Sequence, residues 1–300
     1  MNTSQKELVK GTVPVLKAKG NDLISYFYQR MLTNNPELKD VFNIANQASG
    51  KQQNALTGAV LAYAENIDDP TVLINTLKAI GNKHVSLNIA AEQYDIVGNH
   101  LINSIIEVLD TAATTELIEA WTCAYTELAQ IMIRNEADMY QKNSLKKGGW
   151  KGWRSFVISK IVAESGEINS FYLTPEDNKE IADFFPGQYV SISTFIPELG
   201  HKQPRQYSLS SNSNNEYYRI SVKKEIGQTT PDGIVSNALH DKIVGDLLQV
   251  SAPAGLFYAD PEAKNPLVLV SGGVGLTPMM SMVETNKNAL QRNQTVWIHS

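Results

Sequence analysis

The stretch LVLVSGGVGLTP, residues 267–278, is the segment that most constrains the fold of this 300-residue chain. Four apolar residues, Leu267 to Val270, predict a buried strand, the glycines after them predict a tight turn, and residues 279–283 have the character of a helix. Glycines at such a turn let the backbone approach a ligand, and a helix N-terminus favours an anion such as phosphate. The alternative is a turn that serves only as a connection.

A second segment, RQYS at residues 205–208, precedes this turn in the same strand-rich half. An arginine can bind a pyrophosphate through two parallel hydrogen bonds, a tyrosine can pack on a flat ring, and a serine can hydrogen-bond a ring nitrogen. The alternative is an ordinary strand in which Tyr207 and Leu209 face the core. Tyr189, in the turn-and-strand sequence PGQY, adds a second aromatic side chain for the same ligand. Together these segments predict a flavin site followed by a nicotinamide site.

Composition excludes several classes of protein. With 42% hydrophobic and 19% charged residues, the chain has the composition of a folded protein large enough for more than one domain. Its net charge of −5 argues against a nucleic-acid partner. The first residues lack the apolar core of a signal peptide, no stretch reaches the roughly 18 apolar residues of a membrane span, and Cys123 is the only cysteine. We therefore expect a cytoplasmic protein that is not integral to the membrane.

The sequence pattern changes at two places along the chain. Near Gly148-Gly149, long amphipathic helices give way to short β-branched runs, and near Asn265-Pro266 these give way to the buried run described above. We predict a multidomain protein: an all-α domain over residues 1–147, an antiparallel β-barrel over 148–264, and the first part of an α/β domain over 265–300. A two-stranded parallel sheet with one helix cannot bury both faces, so we expect a chain that is truncated at the C-terminus and naturally continues for about a hundred residues.

Two histidines of the helical half differ in their settings. A helix predicted over residues 72–84 ends its apolar stripe at His84, so this imidazole is expected to point inward. His100 lies off the stripe of its own helix, predicted over residues 93–109. An inward histidine is usually a hydrogen-bonded core residue, and the alternative is an iron ligand.

Four polar side chains interrupt the apolar faces of the predicted helices. Tyr28 lies on the stripe of its helix, and Gln52 extends the stripe of a helix predicted over residues 51–67. Each can instead be a polar residue that reaches the rim of the core. Tyr94 and Glu136, on the last two long helices, are either ordinary interhelical hydrogen-bond partners or outer partners of His84.

Taken in order, these features resemble the bacterial flavohaemoglobin family, in which a globin is followed by a ferredoxin-reductase-like flavin and nicotinamide module. The resemblance extends over essentially the whole chain, and the ordered coincidence of motifs is highly specific. In the helical half it rests on Tyr28, Asn35–Lys39, Phe42, Gln52, Leu56, Lys83-His84, Glu92–Tyr94 and Asn135–Ala137. It implies that residues 1–147 are a globin that binds one haem b, that 148–264 bind FAD, and that 265–300 begin the domain that binds NAD(P)H.

The resemblance also implies roles for residues of the haem pocket. His84 would bind the iron, with Tyr94 and Glu136 hydrogen-bonded around it. On the opposite face, Tyr28 and Gln52 would donate hydrogen bonds to a diatomic ligand.

Further cofactor contacts follow from the same resemblance. Leu56 would restrict the space beside the ligand, and Phe42 would wedge the haem. Lys83 occupies a position at the haem–flavin contact, and its alternative is a solvated lysine at a helix end. The FAD contacts would be Tyr189, Arg205, Gln206, Tyr207 and Ser208, with Arg205 on the pyrophosphate and Ser208 near the reactive ring nitrogen. The NAD(P)H contacts would be Gly273, Val274, Gly275, Leu276, Thr277 and Pro278.

The family function implied is that of a nitric oxide dioxygenase. It converts NO and O2 into nitrate, and electrons from NAD(P)H return to the haem through FAD. Two alternatives stay open: a gas-binding or oxygen-sensing globin with a non-productive reductase module, and a flavin reductase with a structural helical domain. We also expect a monomer, and a lipid in the distal pocket is left open.

Overall fold

The computed structural model describes residues 1–42, 50–227, 232–263, 265–288 and 294–300. Its contacts divide the chain into two units. The first comprises Met1–Gly81 and Ile89–Asp138, and the second comprises Asn82–Asn88 and Met139–Ser300. The change from helix to strand falls between Leu145 and Arg154, where the sequence predicts the first boundary. The predicted domain limits themselves stay a prediction.

Helices make up the N-terminal half of the chain. They are α1 (Thr3–Gly11), α2 (Val13–Asn34), α3 (Lys51–Glu65), α4 (Ile74–Ser86), α5 (Ala91–Leu109) and α6 (Thr115–Leu145), with short 3-10 turns at Pro36–Asp40, Pro70–Leu73 and Asp110–Ala112. Pro36 opens the first 3-10 turn, where its missing N–H has no helical partner to lose. None of the helices in the described ranges has the length and apolar character needed to cross a membrane.

The core of the first unit forms around α2. The buried face of α2 carries Leu23, Phe27 and Met31, which pack with apolar side chains of α3, α5 and α6. Burial of each such side chain stabilises the fold by about 1.5–3 kcal/mol. A Cβ added at Gly20 would lie 2.7 Å from a methyl carbon of Thr57, so glycine lets α2 approach α3 closely. Tyr28, on the same helix, therefore lies inside a tightly packed helical core.

The strands of the second unit form an antiparallel sheet. They are β1 (Arg154–Ala163), β2 (Ile168–Pro175), β3 (Tyr189–Ile196), β4 (His201–Ser208), β5 (Tyr218–Lys223) and β6 (Leu247–Val250), in the order β4-β3-β6-β1-β2-β5. A bridge between Leu209 and Ile220 brings the ends of the two outer strands together, as in a barrel. Helix α7 (Ile234–His240) packs against this sheet through Val235 and Leu239.

The last described segments form a strand–helix–strand element. Strands β7 (Leu267–Ser271) and β8 (Thr295–His299) pair in parallel, and α8 (Leu276–Asn288) lies between them in the chain. Leu269, Met279 and Met282 form its core. The order of helical domain, antiparallel barrel and α/β element confirms the predicted fold class.

Two glycines and a tryptophan connect α6 to the barrel. A Cβ added at Gly149 would lie 1.9 Å from the carbonyl oxygen of Asn143, and the Gly149 N–H donates to the Lys146 carbonyl at 2.8 Å. Trp150 then packs against Phe156 of the barrel core. The glycines therefore let the helix end tightly, and the tryptophan anchors the chain where β1 begins.

Candidate functional site

Tyr28, Phe42 and Gln52 come together in the first unit. Tyr28 is 5% exposed, and its ring meets the Phe42 ring edge-on with centroids 5.6 Å apart. The Tyr28 hydroxyl is hydrogen-bonded to the Gln52 side chain. Leu56 follows Gln52 by one helical turn on α3 and packs in the same core. The Tyr28–Gln52 pair is thus a polar contact within an apolar core.

Part of the Gln52 amide lacks a protein partner. Its Oε1 atom is buried and, among the described residues, accepts no hydrogen bond. Exchanging the oxygen and nitrogen of the amide would leave the nitrogen unpaired instead, so either orientation leaves one buried polar atom to satisfy. Burial raises the pKa of Tyr28, while the hydrogen bond from Gln52 lowers it by less. The phenol therefore stays protonated and can donate, and the pair fits a small polar ligand held in an apolar pocket.

Tyr94 and Glu136 form a direct hydrogen bond between α5 and α6. The Tyr94 hydroxyl donates to Oε1 of Glu136 at 2.7 Å, and Glu136 is only 3% exposed. The Tyr125 hydroxyl donates to the Tyr94 carbonyl at 2.5 Å. The ring of Tyr125 in turn packs where Gly98 has no side chain, since a Cβ there would lie 2.3 Å from it. Tyr94, itself held by Tyr125, thus orients the buried side chain of Glu136.

Lys83 and His84 lie near the C-terminal end of α4. The helix continues to Ser86, two residues beyond the predicted end at His84. His84 is half-buried and Lys83 is exposed. Both belong to Asn82–Asn88, the segment that groups with the barrel unit.

His100 departs from its predicted position, because the structure buries it. It is 5% exposed, its Nε2 lies 2.8 Å from Oδ1 of Asn35, and its Nδ1 lies 2.6 Å from a guanidinium nitrogen of Arg30. Arg30 also pairs with Glu107 at 3.3 Å. Helical periodicity places His100 off the apolar stripe, but the long arginine and the asparagine that cover it come from α2 and the turn after it. The sequence pattern of α5 alone therefore cannot predict that His100 is buried.

The surroundings of His100 predict a pH dependence of stability. Burial and the Arg30 charge hold the pKa of His100 below its ordinary value of about 6.5, against a smaller opposing effect of Glu107. The unfolded chain therefore takes up this proton more readily than the folded chain does. The stability contributed by neutral His100 is present above pH about 6.5 and is lost as the pH falls through the lowered folded pKa.

The melting temperature of the variant His100→Gln should therefore fall less than that of the unsubstituted chain when the pH is lowered from about 7 to 5. Glutamine keeps a hydrogen-bonding side chain without a titrating group. The control is His201→Gln, in a barrel strand. An unchanged pH slope in His100→Gln would contradict the assignment.

The barrel gathers the second set of predicted residues on the ribbon of β3 and β4. The register pairs Tyr189 with Ser208, Val190 with Tyr207 and Ile192 with Arg205. Gln206 donates from Nε2 to the Ser191 hydroxyl at 3.2 Å. The antiparallel pairing thus brings the PGQY and RQYS segments side by side.

Arg205 is a half-buried cation that has no acidic partner in the described part of the chain. Its guanidinium donates to the Pro204 carbonyl at 2.7 Å and to Oε1 of Gln203 at 3.3 Å. Burial lowers the pKa of Arg205. A half-buried guanidinium is stabilised by an anion with matching oxygens, and a pyrophosphate has that geometry. An unsatisfied polar atom of the barrel unit is Oδ1 of Asn237 on α7, which is buried and has no hydrogen-bond partner in the described ranges.

The glycine turn after β7 presents its backbone to open space. Gly273 has a φ of +51°, in the left-handed region that favours glycine, and α8 begins at Leu276. A Cβ added at Gly273 or Gly275 would meet no atom within 4 Å. Packing therefore does not require these glycines, and their free face suits the close approach of a ligand.

The Glu284 carboxylate links helix α8 to the barrel. Glu284 pairs with Arg219 of β5 at 2.7 Å and accepts from the Asn212 N–H at 3.2 Å. Arg219 also donates to the Ser210 hydroxyl at 3.1 Å. This partly buried network connects α8 to β5 and to the loop before it, and no sequence motif predicts it.

In comparisons with known proteins, two family models match separate parts of the chain. A Globin family model matches residues 25–132, and a model of the oxidoreductase FAD-binding domain matches residues 155–258. The flavohemoprotein of Rhizobium meliloti is 50% identical over 297 residues, which cover 98% of this chain and 73% of the relative. That of Bordetella pertussis is 53% identical over 280 residues, covering 93% of this chain and 69% of the relative.

A solved structure has a fold similar to that of nearly the whole chain. The flavohemoglobin of Malassezia yamatoensis, determined with bound FAD and heme, superimposes with a TM-score of 0.87 at 28% sequence identity. The match covers 99% of this chain and 76% of that one. With half of its residues identical to relatives that it covers over more than two thirds of their length, the chain belongs to the flavohaemoprotein family.

Proposed function

We propose that the chain is an NAD(P)H-dependent nitric oxide dioxygenase that holds one haem b and one FAD and converts NO and O2 into nitrate. Membership of the flavohaemoprotein family supports this, and so do the two cofactors bound by the Malassezia yamatoensis relative. The observation that carries the proposal is the buried Tyr28–Gln52 pair, which keeps an unsatisfied polar atom in an apolar globin core. When bound, haem supplies an iron with an open position for a diatomic ligand, and FAD converts a hydride into single electrons.

Tyr28 and Gln52 act on the diatomic ligand as hydrogen-bond donors. The raised pKa of Tyr28 keeps its phenol neutral and able to donate at physiological pH. Donors fixed in an apolar pocket stabilise negative charge more than donors in water do, because they need no reorganisation. Phe42 holds the Tyr28 ring in place by its edge-on contact. Leu56, one turn after Gln52, limits the space beside the ligand.

His84 is the residue that we propose to bind the iron, through one ring nitrogen. Its other ring N–H then needs an acceptor, and the Glu136 carboxylate is the one proposed. Tyr94 orients that carboxylate by its hydrogen bond of 2.7 Å. A carboxylate that accepts from a ligating imidazole raises its electron donation to the metal.

The reductase residues would hold the flavin and the nicotinamide. Arg205 would bind the pyrophosphate, Tyr207 would pack on the ring system, and Ser208 would hydrogen-bond the ring nitrogen, with Tyr189 and Gln206 as further contacts. The turn from Gly273 to Pro278 would contact NAD(P)H. Lys83, which is exposed beside His84, would lie at the haem–flavin contact. We also propose that the protein acts as a monomer in the cytoplasm.

The proposed function is tested by the rate at which the purified, haem- and FAD-loaded chain consumes NO. We expect rapid NO loss that requires both O2 and NADH or NADPH and that yields one nitrate per NO. A second arm reduces the flavin by light and a deazaflavin, so that electron supply does not depend on nicotinamide binding. NO consumption in neither arm, despite bound haem and FAD, would favour a gas-binding globin and contradict the proposal.

A further inference from the structure

The C-terminal end of α4 makes two hydrogen bonds to the barrel, one to the start of β3 and one to the loop after β6. The Gly255 N–H donates to Oδ1 of Asn82 at 3.3 Å. The Ser86 hydroxyl is hydrogen-bonded to the Tyr189 hydroxyl. All four residues belong to the same unit of the structure, although the two halves of the contact lie more than 100 residues apart in the chain.

The two barrel residues of this contact, Tyr189 and Gly255, lie close together. Tyr189 pairs with Ala254 through two backbone hydrogen bonds of 2.9 Å, and Gly255 follows directly. Gly255 has a φ of +110°, and a Cβ added there would lie 2.8 Å from the Tyr189 ring. Glycine is therefore required for the backbone N–H to reach Asn82 while the tyrosine keeps its position.

The helix presents these two contacts on one face. Asn82 and Ser86 are four residues apart, so they lie one above the other on α4. At about 100° per residue, His84 points roughly 160° to 200° away from them. A single helical turn thus carries the proposed iron ligand on one side and the two barrel contacts on the other.

Ser86 is buried, and its hydroxyl group has hydrogen-bond partners on both the helix and the barrel. Ser86 is 0% exposed, and its hydroxyl donates to the Lys83 carbonyl at 2.8 Å. The Tyr189 hydroxyl can then donate to the Ser86 oxygen, which has a second lone pair. Burial raises the pKa of Tyr189, so the phenol is protonated and able to make this bond at neutral pH. Removing the Ser86 hydroxyl would leave a half-buried phenol without this partner.

We propose that Asn82 and Ser86 are positioning residues that hold the helix of His84 against Tyr189 and Gly255, and so set the geometry for electron transfer from flavin to haem iron. This inference rests on the proposed function. Each transfer takes one electron from reduced flavin and converts one ferric iron to ferrous iron, without making or breaking a bond. One hydride from NAD(P)H supplies two such transfers, and the single proton that the hydride leaves on the flavin passes to solvent. The rate depends on the relative placement of donor and acceptor, and small displacements can cost up to about 100-fold.

The test compares Asn82→Ala, Ser86→Ala and the double variant with the control Asn75→Ala, an exposed asparagine on the same helix. The flavin of the haem- and FAD-loaded protein is reduced by light, and haem reduction under CO is followed by stopped flow. We expect the double variant to reduce haem at least about tenfold more slowly. Transfer from flavin to ferricyanide, which bypasses the haem, should be unchanged. Asn82→Asp retains the acceptor oxygen and should therefore keep the rate that is lost in Asn82→Ala.

A second readout does not depend on activity. Hydrogen exchange at the Gly255 amide should accelerate in Asn82→Ala and stay protected in Asn75→Ala and Asn82→Asp. If the double variant does not fold, the single variants give the same comparison. Wild-type haem reduction in the variants, or equal slowing of the ferricyanide reaction, would overturn the inference. A wild-type protein that reduces its haem through flavin but consumes no NO would contradict the proposed function and leave this inference standing.

Discussion

Replacing His84 with alanine is expected to leave the purified chain without haem while it retains FAD. The physical reason is that one imidazole is proposed to supply the only bond between protein and iron, so its loss leaves apolar contacts alone to hold the porphyrin. FAD should be unaffected, because Arg205 and the RQYS strand lie on the barrel. The measurement is the molar ratio of haem and of FAD to protein, determined on the same sample.

The control for this variant is His201→Ala, which removes a histidine from a barrel strand and should change neither ratio. Adding free imidazole to His84→Ala should restore part of the haem binding, because the ligand is replaced without the side chain. A His84→Ala protein that keeps its full haem content and activity would reject the assignment of the iron ligand.

Replacing Arg205 with alanine is expected to weaken FAD binding by about 100-fold while haem stays bound. The half-buried guanidinium has no acidic partner in the described ranges, so its principal interaction should be with the pyrophosphate. Arg205→Lys should recover only part of the affinity, because lysine keeps the charge and loses the planar pair of donors. FAD affinity is measured by fluorescence titration of the FAD-free protein.

The matched control for Arg205 is Lys202→Ala, an exposed cation on the same strand. It should leave FAD affinity within about twofold, since a surface charge away from the ligand contributes little. Equal affinities for FAD in Arg205→Ala and the unsubstituted protein would place the pyrophosphate elsewhere.

The parts of the site that sequence could predict are those encoded in local pattern. Tyr28 and Gln52 were identifiable because each breaks an apolar stripe of helical period, and the structure brings them into contact. The RQYS strand and the glycine turn were identifiable because their residue types match the groups of a dinucleotide. The order of domains followed from the change of pattern near Gly148.

Other parts depend on tertiary contacts and carry no local signal. His100 looks solvated on its own helix, yet Arg30 and Asn35 from elsewhere in the chain bury it. From sequence alone, Glu284 is expected to be a surface residue of α8, but in the structure it pairs with Arg219 and accepts a hydrogen bond from Asn212. Such pairs are separated by tens of residues, and only the folded chain shows which long side chains reach each other.

Asn82 and Ser86 are the clearest case of this limit. In the sequence they flank Lys83-His84 as ordinary polar residues of a helix end, and their spacing of four suggests only a shared face. The structure shows that the face is turned toward Tyr189 and Gly255. The role proposed for these two residues therefore follows from contacts with the barrel, which comes later in the sequence.

The central claim is that one chain holds an iron porphyrin on an imidazole of its globin and a flavin on its barrel. It is tested most directly by the absorption spectrum of the purified chain before and after dithionite and then CO. The account predicts a Soret band with a flavin shoulder, loss of the shoulder on reduction, and a Soret shift on CO binding typical of iron with a histidine ligand. A spectrum with flavin absorption and no Soret band, or a Soret band that CO does not shift, would contradict it.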